Sequence, residues 1–347
     1  MPKVNHDRLG WGRRFTAHMV TSRWSPGSGW EPPAREPYGP ILVDPAMSAL
    51  HYGQIVFEGL KAYRLAGGGI AAFRPADHGQ RFTRSARRLA MPPLPVDLFV
   101  DAVETFVRAN HEDVPDEGEL SLYLRPLMFA SEANLALKPA DEYRFMLIGF
   151  AAETFFDPNL PAVSVWASHT YSRTAPGGTG EIKCAGNYGA ALLPQQEAAE
   201  HGCQQVLWLD STERRWVEEM GGMNVFFVRG SGEEATVVTP PLTGTLLGGI
   251  TRDSLLTLAA AGGMKTAEEP MTLDDVRSAC ANGSITEAFA CGTAAVVTAI
   301  GQITDHSGSQ SVGNGTAGPV TRRLRKELVD IQYGQATDRF GWRHAIR

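Results

Sequence analysis

The stretch Gly177-Gly178-Thr179-Gly180-Glu181-Ile182-Lys183-Cys184-Ala185-Gly186-Asn187-Tyr188 decides how this chain is read. Its glycines suggest a phosphate loop. The Walker arrangement, however, needs Gly-Lys-Ser/Thr in direct succession, so that backbone amides, ammonium and hydroxyl converge on one triphosphate. Here Lys183 stands three residues beyond the last glycine and Cys184 follows it, so that reading fails. What remains is a lysine after a glycine-rich turn and before a helix start, with small or apolar neighbours (Ile182, Cys184, Ala185, Gly186). A partly buried lysine has a lowered pKa and acts as an amine nucleophile toward an aldehyde. The same pattern fits a structural lysine whose stem snorkels along apolar surface. The chain has six lysines, and four of the others are poorer candidates: Lys3 is terminal, Lys138 and Lys265 lie in polar loops, and Lys326 sits among arginines.

Working outward, Gly248-Gly249-Ile250-Thr251-Arg252-Asp253 opens an expected helix. Two glycines, a hydroxyl and helix N-terminal amides make a phosphate cradle, although a plain capped helix start reads the same way. Glu218-Glu219-Met220-Gly221-Gly222-Met223-Asn224 places acids between two apolar strands. A half-buried carboxylate needs a cationic partner, and a pyridinium nitrogen is one. Together these segments supply an amine, a phosphate seat and a carboxylate, the set that pyridoxal phosphate requires. No Gly-x-Ser-x-Gly elbow or His-Glu-x-x-His helix occurs, and the nine histidines show no metal-ligand spacing with the cysteines, so no metal is expected.

The wider chain sets the frame. Its 347 residues suggest two domains, and 43% hydrophobic with 20% charged residues is ordinary for a globular protein with a sizeable core. No apolar run approaches the ~18–20 residues of a membrane span. The charged N-terminus lacks the apolar region of a secretory signal, and Cys184, Cys203, Cys280 and Cys291 form no close pairing motif, so a reduced, cytoplasmic protein is expected. Four arginines crowd residues 81–88, which reads as a solvated helix face. With a net charge of −6 and no interleaved aromatics, no nucleic-acid partner is expected. QIVFEGLKAYRL, a turn at residues 67–69 and IAAFR read as a hairpin. Helices are expected at 77–89 and 96–110, and strands at SLYLRPLMFA and YRFMLIGFAAE. This first half is a small α+β unit, residues 1–153, followed by a linker at 154–163. Residues 164–347 form the second domain, with closely spaced short strands like a barrel or meander. It includes a helix at 187–201, where Pro194 would kink or start it.

HYGQIVFEGLKAYR, SLYLRPLMF, PGGTGEIKCAGNYGAALL, WVEEMGGMNVFFV, TPPLTGTLLGGITRDSLL and EAFACGTAAVVT together resemble the branched-chain amino acid aminotransferases, in their actinobacterial form, nearly end to end. The resemblance implies a mixed α/β, two-domain, fold-type IV pyridoxal-phosphate enzyme: a small α/β domain, an interdomain loop and a larger pseudo-barrel domain. It also implies a homodimer with a shared active site and small-molecule amino acid and 2-oxo acid substrates. Lys183 matches the lysine that links to the cofactor, Glu219 the acid at the pyridine nitrogen, and Tyr188 the tyrosine at the phenolic oxygen. Arg81, Ile250, Thr251 and Thr293 match the phosphate seat. Phe57, Tyr123 and Arg125 match small-domain residues lining the substrate pocket, Tyr52 one contributed across the dimer, and Thr293 and Ala294 the donors to the substrate carboxylate.

The chain departs from the family pattern in places. Ala185 replaces a glycine, Gly248 replaces a proline, and residues 134–139 and 153–156 differ. The implied reaction exchanges amino groups between leucine, isoleucine or valine and 2-oxoglutarate. Two alternatives stand beside it: a transaminase paralogue with another apolar substrate, and a lyase of the aminodeoxychorismate type.

Overall fold

A computed structural model describes residues 11–153 and 162–346, so the expected linker lies almost wholly outside the described residues. The chain divides into two compact units: residues 1–155 together with 330–347, and residues 156–329.

In the first unit a sheet runs in the order Arg343–Ile346, Ile70–Phe73, Leu60–Arg64, Ser121–Ala130, Tyr143–Ala152, His18–Ser25, Gly29–Trp30. The expected hairpin forms, with Arg64 opposite Ile70. Its first strand is shorter than the apolar run suggests. Ile55–Phe57 and Leu60–Arg64 pair separately with Ser121–Ala130, and Glu58 and Gly59 break the ladder opposite Pro126, which has no N–H to donate. Helices Pro75–Arg88 and Val96–Ala109 follow, close to the expected ranges. The second buries Phe99, Ala102, Val103, Phe106 and Val107, the stripe that a 3.6-residue period presents to one side. Phe82, Phe99 and Phe145 meet at centroid distances of 5.5–6.4 Å and join both helices to the sheet.

One expected boundary is corrected. Residues 330–347 do not continue the second domain. Arg343–Ile346 adds an antiparallel edge strand beside Ile70–Phe73, Tyr333 donates to the Leu120 carbonyl, and its ring stands edge-on to Tyr63. The pairing joins segments about 270 residues apart, so no local pattern could reveal it.

In the second unit the strands Val217–Met220, Gln205–Leu209, Val163–Ser168, Val296–Asp305, Ile285–Gly292 and Met223–Arg229 pair in that order. The last returns to pair with the first, closing a barrel. Its filling includes Val165, Leu207, Val225, Phe227, Ala288, Ala290, Ile300 and Ile303. The single helix expected at 187–201 is two, Ala185–Gly189 and Leu192–Glu200. Pro194 is the third residue of the second helix, within the first turn, where a missing N–H costs no intrahelical bond.

Candidate active site

The second unit builds its site from three loops. The first leaves strand Val163–Ser168 and reaches the short helix at Ala185. The buried Asn187 amide donates to the carbonyls of Thr179 (2.7 Å) and Ile182 (3.0 Å) and accepts from the Thr179 hydroxyl (2.7 Å). These bonds fold the glycine-rich segment into a compact turn, with Ile182 and Cys184 buried on either side of a half-buried Lys183. Lys183 Nζ then donates to Tyr188 Oη at 2.6 Å. Gly222, from a neighbouring turn, lies against the Tyr188 ring; a Cβ there would sit 3.4 Å from Cε1.

Glu219 anchors the second loop. Its strand, Val217–Met220, is buried along its length. Oε1 accepts from the Leu247 amide (2.8 Å) and from Asn224 Nδ2 (3.1 Å), and Oε2 pairs with Arg173 Nε at 2.9 Å. Asn224 also donates to the Leu247 carbonyl at 2.9 Å. A Cβ at Gly249 would collide with Asn224 Oδ1, so only glycine fits where helix Ile250–Ala261 begins. That helix starts without a side-chain cap and presents Ile250 and Thr251 in its first turn. One residue earlier on the same strand, burial pushes the Glu218 carboxyl up, while a 2.5 Å hydrogen bond from Thr245 opposes the shift.

Thr293 and Ala294 form the third loop, a turn between strands Ile285–Gly292 and Val296–Asp305. Register places it close to the acid: Glu219 pairs with Asn224, Asn224 with Cys291, and Cys291 with Val297. Val296 closes the turn at φ +60°, a region costly for a β-branched residue and a mark of local strain.

The other expected residues belong to the first unit. Arg81 is the buried arginine of its cluster, whereas Arg84, Arg87 and Arg88 are exposed, as a solvated face requires. Arg81 grips Glu58 through Nε (2.6 Å) and Nη2 (2.8 Å), and His78 Nδ1 lies 2.8 Å from the same carboxylate. Burial alone would raise the Glu58 pKa, but Arg81 and His78 outweigh it and hold the carboxyl far below the ordinary range. Arg125 donates to the Tyr123 hydroxyl (3.0 Å) and lies 4.9 Å over the Phe57 ring, so these three residues come together. Tyr52 is half exposed and donates to the Leu135 carbonyl at 2.6 Å.

Sequence reading missed Arg173, Asn187, Asn224, Glu58 and His78. Asn187 and Asn224 lie inside motifs already singled out, but their work is to satisfy backbone carbonyls, which no spacing announces. Arg173 gives only an arginine upstream of a glycine-rich turn.

A closed barrel that carries an amine–phenol pair, a braced buried carboxylate and an uncapped helix start defines a class of enzyme. The amino-transferase class IV family model matches residues 55–303, and the chain belongs to that family. It is 48% identical over 334 residues to a branched-chain-amino-acid aminotransferase of Mycolicibacterium smegmatis, covering 96% of this chain and 91% of that one. Among solved structures it resembles the branched-chain amino acid aminotransferase of Escherichia coli, with TM-score 0.75, 28% identity and coverage of 94% and 99%. It also resembles the T.th. branched-chain amino acid aminotransferase with pyridoxamine 5'-phosphate, with TM-score 0.75, 29% identity and coverage of 94% and 99%.

Proposed function

We propose that this chain is a pyridoxal-phosphate-dependent transaminase that exchanges the amino group between leucine, isoleucine or valine and 2-oxoglutarate. The donor set fits the cofactor group by group: an amine for its aldehyde, a phenol for its phenolic oxygen, a buried carboxylate for its ring nitrogen, and a helix start for its phosphate. The observation that carries the reading is the 2.6 Å contact of Lys183 Nζ with Tyr188 Oη, set in a turn that Asn187 holds together. Substrate choice draws support from the relatives. The T.th. enzyme was solved in complex with N-(5'-phosphopyridoxyl)-L-glutamate and with 4-methylvaleric acid, an acid with the carbon skeleton of leucine.

Bound pyridoxal phosphate supplies an aldehyde for the amino group and a ring that stores the electron pair released at Cα. This chain's residues do the rest. Lys183 Nζ, the amine beside the Tyr188 hydroxyl, would hold the cofactor through its aldehyde and would serve as the group that moves the substrate Cα proton. Glu219 holds a proton on the ring nitrogen and so deepens the electron sink. Tyr188 orients the phenolic oxygen. Ile250, Thr251 and Thr293 would bind the phosphate at the helix start, and the family pattern assigns Arg81 to the phosphate as well. Phe57, Tyr123 and Arg125 line the substrate pocket, and the Thr293 and Ala294 amides receive the substrate carboxylate.

The same reading includes a homodimer that shares its active site, with Tyr52 contributed to the partner. Exposed Leu50 on the same short helix and exposed Leu135, whose carbonyl Tyr52 reaches, support it, because contiguous apolar surface marks an interface. Four buried cysteines without disulfides support a reducing, cytoplasmic setting. A panel of amino donors with 2-oxoglutarate, read as glutamate formed, tests the activity; absence of glutamate with all three branched-chain donors refutes it. Sedimentation at micromolar concentration tests the dimer.

A further inference from the structure

We propose that Arg173 is a positioning residue of the cofactor site: it keeps the Glu219 carboxylate ionised and ties the lysine loop to the phosphate-side loop. The inference rests on the reading that Glu219 faces the cofactor ring nitrogen. The guanidinium is buried and divides its donors. Nε pairs with Glu219 Oε2 at 2.9 Å, and Nη1 donates to the carbonyls of Gly180 (3.1 Å) and Thr245 (2.9 Å). Gly180 lies three residues before Lys183, and Thr245 lies on the approach to the helix that starts at Gly249. Thr174 donates to the same Thr245 carbonyl at 3.0 Å, and a Cβ at Gly180 would collide with that carbonyl, so the two loops touch here. One planar cation therefore reaches the acid and both neighbouring loops.

The consequence is electrostatic. Glu219 also accepts from Asn224 and Leu247, but both are neutral donors, and Glu218 on the same strand adds a second buried carboxylate. A buried carboxylate without a cation favours its protonated form. Protonated Glu219 would donate to the ring nitrogen instead of accepting from it, and the ring would lose its proton. Arg173 prevents this before the cofactor arrives, so the acceptor is preorganised.

The test uses holoenzyme reconstituted with pyridoxal phosphate labelled with 15N in its ring, beside unlabelled enzyme for cofactor affinity. Wild type comes first: if it neither binds pyridoxal phosphate nor transaminates, the functional reading fails and the role of Arg173 is not at issue. Given an active wild type, Arg173→Met is expected to move the ring 15N signal to the unprotonated position and to lower turnover at least tenfold. Arg173→Lys retains the charge but cannot reach all three partners. It is expected to keep the ring protonated while weakening cofactor affinity at least tenfold. Wild-type affinity in Arg173→Lys, or a protonated ring with wild-type turnover in Arg173→Met, overturns the proposal. Should Arg173→Met fail to fold, Arg173→Met/Glu219→Gln removes both charges together. It is expected to recover a cooperative melt with an unprotonated ring, and a protonated ring there also overturns it.

Discussion

Each unit buries an arginine–glutamate pair, and the two pairs are built in opposite senses. In the first unit Arg81 points two donors at Glu58, and His78 holds the carboxylate from another side. The acid there orients the arginine. In the second unit Arg173 gives Glu219 its Nε, while Nη1 goes to two backbone carbonyls and Glu219 gathers further donors from Asn224 and Leu247. There the arginine orients the acid. On the proposed reading, two similar ion pairs thus present different groups: a cation in the sheet unit and an anion in the barrel unit. A buried pair is weak evidence for stability by itself, so what each one positions is the informative part.

The largest effect expected isolates the barrel unit's chemistry. Lys183→Ala should lower transamination by about 10⁴-fold, the upper range for a proton-transferring group, and abolish the borohydride-reducible link to the cofactor. A retained link in that variant would assign the chemistry to another amine.

Next comes the sheet-unit pair. Glu58→Gln leaves Arg81 buried against a neutral amide and should cost about 3–5 kcal/mol in denaturant unfolding. It also changes the pH dependence. The folded pKa of Glu58 is depressed, so its stabilisation is complete above the unfolded value of ~4.3 and is lost as pH falls toward the folded value. Wild type should therefore lose stability on acidification below about pH 4.3 more steeply than Glu58→Gln, and parallel curves would sink the assignment.

A smaller effect, about 10²-fold or ~2.7 kcal/mol, is expected for turnover of Glu219→Gln, with the cofactor retained. If Glu58→Gln slowed turnover at saturating cofactor as much as Glu219→Gln does, the contrast between orienting a cation and orienting an anion would collapse.

The smallest effect sharpens the comparison at the phosphate-side loop. Gly248 has a φ outside the left-handed region, and the nearest atom to an added Cβ is Leu242 Cδ1 at 3.6 Å, an ordinary contact. Gly248→Ala should gain about 0.4–1 kcal/mol through the unfolded chain without changing the ranking of amino donors. At Gly249, one residue on, the same substitution collides with Asn224 and should weaken cofactor binding.

The sequence by itself determined the parts that short spacing encodes. The turn before Lys183, the helix opening at Ile250, the paired helices Pro75–Arg88 and Val96–Ala109, and the hairpin around residue 67 all follow from local periodicity and turn chemistry. The family motifs nominated Lys183, Tyr188, Glu219 and Arg81, because those residues sit inside long runs of fixed order. Tertiary structure decided three other things. Arg343–Ile346 joins the first sheet, because strand pairing depends on which edge is open and not on distance along the chain. The segment at 187–201 splits at Ala191, because Pro194 is tolerated only within a first turn. Glu58 and Arg173 emerge as the partners of Arg81 and Glu219. A buried charge must find its counter-ion in space, and the residue that supplies it can lie anywhere in the sequence.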